Sequence, residues 1–207
     1  MSDTSPYGPE NTHYLNKLVT VTHNALQEHP RTLAVRIDLH FSPDWYIDDS
    51  VSCYPNVGNK LMSKFIASLK SQIAAYCERQ RKLTRRVHPN NTRYIWVKEV
   101  NTRSYPHFHL VLFFNKDLFR GLGDFNQTGD NLHSMIRKAW LSALGLRGDT
   151  HYSPLVHFPK CCTYVLDRNS PEHREQYDSF IKRARYLAKE ETKVYNPAER
   201  SIGSSQR

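Results

Sequence analysis

The 207-residue chain reads as an α+β domain: a central antiparallel sheet of about five strands with flanking helices. Three observations predict it. Several short runs alternate apolar and polar residues with period two, longer runs repeat apolar residues every three or four positions, and the strand runs come as hairpin-like pieces with helices inserted between them rather than as a regular βαβ alternation.

Residues 1–10 hold Ser, Asp, Pro and Gly and read as a loose start. From Asn11 to Glu28, Tyr14, Leu18, Val21 and Ala25 keep helical spacing until His29-Pro30 stops it. Arg31 to Phe41 then switches to period two, with Leu33, Val35, Ile37, Leu39 and Phe41 on one face and Thr32, Ala34, Arg36, Asp38 and His40 on the other. After a turn-rich stretch, Leu61, Phe65, Leu69, Ile73 and Tyr76 mark one face of a long helix whose other faces are basic. Tyr94 to Val100 and His107 to Phe114 read as the two strands of an antiparallel hairpin. Asp130 to Leu144 reads as a capped helix ended by Gly145. Tyr152 to Phe158 and Cys161 to Leu166 are short β-compatible runs, and Ser170-Pro171-Glu172 opens a last helix through about Glu191. The expected division is an N-terminal extension with its helix over 1–30, the main domain over 31–195, and a disordered tail over 196–207.

An excess of 29 Lys and Arg over 20 Asp and Glu gives a net charge of +9, which favours an anionic partner, with nucleic acid ahead of a membrane surface. No run approaches the roughly 20 apolar residues that span a bilayer, and no leader pattern opens the chain, so a cytoplasmic protein is expected. Cys53, Cys77, Cys161 and Cys162 fit neither a disulfide framework nor a paired CxxC site and read as reduced thiols.

In Pro106-His107-Phe108-His109-Leu110 the two histidines are one residue apart on a β-prone run, so both imidazoles leave the same face and can share one ion. The reverse face, Phe108, Leu110, Leu112 and Phe114, is wholly apolar, which places the strand centrally. Glu99 is the third ligand if the register sets it opposite His109, and Asp38 is the reserve. Two imidazoles and a carboxylate with open positions suit Mg²⁺ or Mn²⁺ acting on a phosphate. Downstream, Tyr186, Lys189 and Lys193 fall at i, i+3 and i+7, so a continuous helix would put a phenol and two ammonium groups on one face, favouring the phenolate and holding a phosphate. Tyr164 and Tyr177 lack that pattern and are weaker nucleophiles. Arg79, Arg81, Lys82, Arg85 and Arg86, with Arg183 and Arg185 beside the tyrosine, are candidate DNA contacts, and Tyr94, Trp96 or Tyr105 could stack on unpaired bases.

The order of a strand over Arg31 to Phe41, a His-hydrophobic-His strand and Tyr-x-x-Lys resembles the rolling-circle replication initiators of the HUH superfamily. More closely, RxDLHF at Arg36 to Phe41, YPHFHLVLFF at Tyr105 to Phe114 and RYLAKEETK at Arg185 to Lys193 look like the inovirus gene-2-protein-like family with its YagK/YfjJ type of prophage proteins. The resemblance covers roughly residues 30 to 195. It implies a five-stranded sheet with His107 and His109 on the central strand, and Tyr186 attacking single-stranded DNA at an origin to leave a 5′-phosphotyrosyl link and a 3′-OH for a host polymerase. A single Tyr-x-x-Lys departs from initiators with paired tyrosines, and no Walker segment is present, so unwinding would fall to a host helicase. Two other readings stay open: a DNA-binding regulator on the same scaffold without cleavage, and a structural zinc site using His107, His109 and Cys161 or Cys162.

Overall fold

The structure, a computed structural model, describes residues 8–43, 45, 56, 58–100, 106–127, 129–190 and 200–206. Helix α1 spans Thr12–Glu28 and starts where the Asn11 side chain accepts a hydrogen bond from the Tyr14 amide. Strand β1, Arg31–Leu39, follows, then α2, Leu61–Lys82. Strands β2, Arg93–Glu99, and β3, His107–Asn115, form the expected antiparallel pair. Helix α3, Leu132–Leu144, is capped by Asn131 and ends at Gly145 in the left-handed conformation that glycine adopts without penalty. A 3₁₀ turn over Thr150–Leu155 leads to β4, Val156–His157, and then come β5, Thr163–Asp167, and α4, His173–Ala184. A second 3₁₀ turn, Arg185–Ala188, and an edge strand β6, Ile202–Ser204, complete the described chain.

The sheet is antiparallel in the order β4-β1-β3-β2-β6, with β5 also on β1. Strands β4 and β5 divide the outer edge of β1 between them, β5 along Arg31 to Val35 and β4 along Asp38 and Leu39. Both faces are covered, as a central strand with few polar positions requires. On one face Leu33, Val35, Ile37, Leu110 and Leu112 share a core with Phe65 and Leu69 of α2 and Ile136 and Trp140 of α3. Trp140 is fully buried, and its indole N–H donates to the His40 carbonyl at 3.1 Å. On the other face Ala34, Ile95, Val97, Val111 and Phe113 meet Leu18, Val21 and Ala25 of α1 and Phe180 and Ala184 of α4. Each large side chain so buried contributes roughly 1.5–3 kcal/mol.

Four expectations are corrected. The tail expected to be disordered supplies β6, whose Ile202, Gly203 and Ser204 pair with Val97, Trp96 and Ile95. The last helix stops at Ala184 instead of running to about Glu191, because the chain tightens into the 3₁₀ turn and Lys189 then turns extended to bridge Glu10. Helix α1 is no extension, since its apolar stripe closes the second core. Of the two short β-compatible runs, the first is mostly the 3₁₀ turn and only Val156 and His157 pair.

Candidate metal and nucleophile site

The period-two pattern puts Arg36, Asp38 and His40 of β1 on the same sheet face as His107 and His109 of β3, opposite the core formed with α2 and α3. Register then sets the neighbours. Asp38 lies opposite His109, and Glu99 of β2 lies opposite His107, two residues from the His109 alignment expected for it. A two-residue slip keeps side chains on the same face, so Glu99 still joins the cluster. Its Oε2 lies 3.1 Å from His109 Nε2 and 3.7 Å from His107 Nε2, and its side chain is 2% exposed.

One ligand atom from each of Glu99, His107 and His109 lies within 4.8 Å of the others. Ligands about 2.1 Å from a common ion are at most ~4.2 Å apart, so a small side-chain adjustment closes the set around a cation. Asp38, the reserve ligand, occupies a different place. It takes the His109 Nδ1 hydrogen bond at 2.5 Å on the far side of the ring from Glu99, the arrangement of a carboxylate that orients a ligating histidine. No cysteine joins the cluster among the described residues: Cys77 is buried elsewhere, Cys161 is exposed, Cys162 is half-buried, and Cys53 lies outside the described residues.

The electrostatics follow from that geometry. Burial works against a charged His109, yet its hydrogen bonds to Asp38 and Glu99 hold its pKa above the ordinary value. Burial pushes Asp38 up, but the hydrogen bond and charge of His109, helped by Arg36 and His157, bring it below the usual carboxylate range. His40 stacks on His107 with centroids 5.5 Å apart, and burial followed by the charge of His107 depresses its pKa.

Tyr186 arrives on the 3₁₀ turn. Its ring stands edge-on to His109 at 5.1 Å between centroids, and the Arg36 guanidinium lies 5.0 Å from its centroid on the ring face. Burial raises the phenol pKa and Glu99 raises it further, against Lys189 and Arg36, which lower it. Lys189 thus acts in the expected direction, but burial, the largest effect, leaves the phenol pKa above its ordinary value. Tyr186 and Lys189 do not share a helical face, because the α-helix has ended, and Lys193 lies outside the described residues. Tyr164 and Tyr177 pack with the second core instead.

The expected basic contacts scatter. Arg185 makes a paired hydrogen bond to Glu10 through Nε and Nη2, which ties the Tyr186 turn to the N-terminal segment. Arg79 is bound to Asp130 and Arg81 to Glu78, while Arg183 is exposed. Lys82 ends α2, and Arg85 and Arg86 follow in the connection to β2; all three are exposed. Tyr105 lies outside the described residues. Arg36, His40 and His157 were not singled out from sequence. The first two carried a signal, the shared face with Asp38. His157 carried none, since only the β4 pairing brings its Nδ1 to 3.3 Å from Asp38.

Fold and site together define an antiparallel-sheet α+β protein with a buried carboxylate and two histidines of metal-ligand type, and a tyrosine packed against them. The chain belongs to the YagK/YfjJ C-terminal domain family, whose sequence profile matches residues 4–205. It is 38% identical over 192 residues to the uncharacterized protein YagK of Escherichia coli (strain K12), covering 93% of this chain and 90% of that protein. It is 30% identical over 207 residues to the uncharacterized protein YfjJ of the same strain, covering 99% of each. No solved structure matches the chain. Among the described residues no helix is long and apolar enough to cross a membrane.

Proposed function

We propose that this protein is an HUH-type endonuclease that nicks and rejoins single-stranded DNA at a phage or prophage replication origin through a Tyr186 phosphotyrosyl intermediate. The observation that carries the reading is the Tyr186 ring 5.1 Å from His109, within the Glu99, His107 and His109 group. Those three residues would hold Mg²⁺ or Mn²⁺, which supplies Lewis-acid polarisation of a phosphate oxygen when bound.

The chain's own groups have distinct tasks. Asp38 fixes the His109 ring, Arg36 packs on the Tyr186 ring and limits its freedom, and Lys189 supplies positive charge beside the phenol for a phosphate. In the reaction the Tyr186 oxygen forms a bond to phosphorus as the P–O3′ bond breaks. The phenolic proton departs, the 3′ oxygen takes up one, and reversal reseals the strand without an external energy source. A polymerase would extend the 3′-OH, and a separate helicase would unwind.

Incubation with single-stranded DNA and Mn²⁺ should give a covalent adduct resistant to denaturation. Tyr186→Phe should abolish it and EDTA should suppress it. An undiminished Tyr186→Phe adduct would show that another residue is the nucleophile. The DNA-binding regulator without cleavage draws support from His109, whose two ring nitrogens are both engaged by carboxylates. Metal-independent DNA binding with no adduct from the wild-type protein would favour it.

A further inference from the structure

We infer that the sheet face opposite the histidine cluster carries a second, non-catalytic groove that binds single-stranded nucleic acid along β2. Tyr94, Trp96 and Lys98 alternate along the strand with Ile95, Val97 and Glu99, so they point away from the Tyr186 site. They line a groove of about 820 Å³ together with Phe108, Lys17 and Arg200.

Two features make this an anion-binding, base-stacking surface. The first is charge: Lys17, Lys98 and Arg200 line the groove, and no aspartate or glutamate does among the described residues. The second is the way the indole is laid down. A Cβ added at Gly203 would fall 2.5 Å from Trp96 Cε2 and Cζ2, so the ring lies directly on the β6 backbone, where any other residue would displace it. Phe108 meets the Trp96 ring edge-on at 5.8 Å, and Tyr94 sits one pleat repeat away, roughly 7 Å along the strand. Trp96 and Tyr94 are only partly buried, which leaves ring surface for a base. A row of aromatic rings bordered by cations is the pattern that holds unpaired bases and tracks their phosphates. An acidic peptide would satisfy the cations but not the partly exposed Tyr94 and Trp96 rings.

The inference stands whether or not Tyr186 cleaves DNA. Full-length protein carrying Tyr186→Phe is therefore titrated in EDTA with a labelled oligodeoxythymidylate of about 12 nucleotides, within the roughly 4–16 usual for such grooves. Anisotropy should report binding, with a salt slope falling by roughly 0.7 for each of Lys98→Ala and Arg200→Ala. Trp96→Leu should weaken binding about tenfold and abolish the tryptophan quenching that accompanies it. Arg200→Ala lies outside both cores and tests the groove without risk to folding; circular dichroism checks Trp96→Leu. Affinity unchanged in both Trp96→Leu and Arg200→Ala overturns the inference, as does equally tight, competing binding of polyglutamate. Adduct formation by protein with intact Tyr186, assayed separately in Mn²⁺, shows which of the two readings has failed.

Discussion

The Nδ1–H of His109 donates to Asp38 at 2.5 Å while its Nε2 faces Glu99 at 3.1 Å, so one imidazole is held between two carboxylates from two different strands. The three groups have separable tasks. Glu99→Gln removes the carboxylate that both histidines approach. Mn²⁺ should raise the wild-type Tm, by about 2.7 kcal/mol of stability at 100 times Kd, and should leave the Glu99→Gln melt where EDTA puts it. Asp38→Ala should retain binding but weaken it about 10- to 100-fold in calorimetry, as expected of an orienting residue. A wild-type melt indifferent to Mn²⁺ would remove the metal from the proposal.

The pair between Arg185 and Glu10 anchors the turn that presents Tyr186, with side chains 21% and 10% exposed. Arg185→Ala removes the guanidinium from the largely buried Glu10 carboxylate and should cost about 2 kcal/mol in urea unfolding, with adduct yield falling in step. Arg185→Lys should recover only part of both, because an ammonium cannot reproduce the paired guanidinium geometry. Full activity in Arg185→Ala would mean that the turn holds Tyr186 by packing alone.

Deleting residues 200–207 should lower the Tm measurably. Edge strand β6 covers Trp96 and pairs with β2, and the preceding Ser201 carbonyl accepts from the Lys98 amide at 2.8 Å. A disordered tail would leave the melt unchanged.

His29 is buried, and its Nε2 accepts a hydrogen bond from the Asn91 amide at 3.1 Å, which only the neutral ring can do. Burial is the main cause of its depressed pKa, with Glu28 acting in the opposite direction. The unfolded chain therefore binds a proton more readily than the folded one. The contribution is complete above the ordinary histidine value of about 6.5 and is lost as pH falls below it. Urea unfolding at about pH 7.5 and about pH 5.5 should show a smaller acid loss in His29→Gln than in the wild type. His40 and His133 shift in the same direction, so the difference between the two proteins is the informative quantity.

Local pattern alone determined much of this protein. Alternation fixes which face a strand residue occupies, so the common face of Arg36, Asp38, His107 and His109 and the apolar reverse of β3 were legible in the residues themselves. Helical spacing placed α1, α2 and α3, because each has a continuous apolar stripe and a clear stop. Tertiary structure decided the rest. Alternation is blind to a slip of two, so only the strand pairing sets Glu99 opposite His107. The helix carrying Tyr186 ends early because a bridge to Glu10, far away in the chain, competes with continued helix. Strand β6 contains only Ile202, Gly203 and Ser204, too short and too glycine-dependent to show β character alone; it exists because β2 offers an open edge and Trp96 needs a residue with no side chain beneath it.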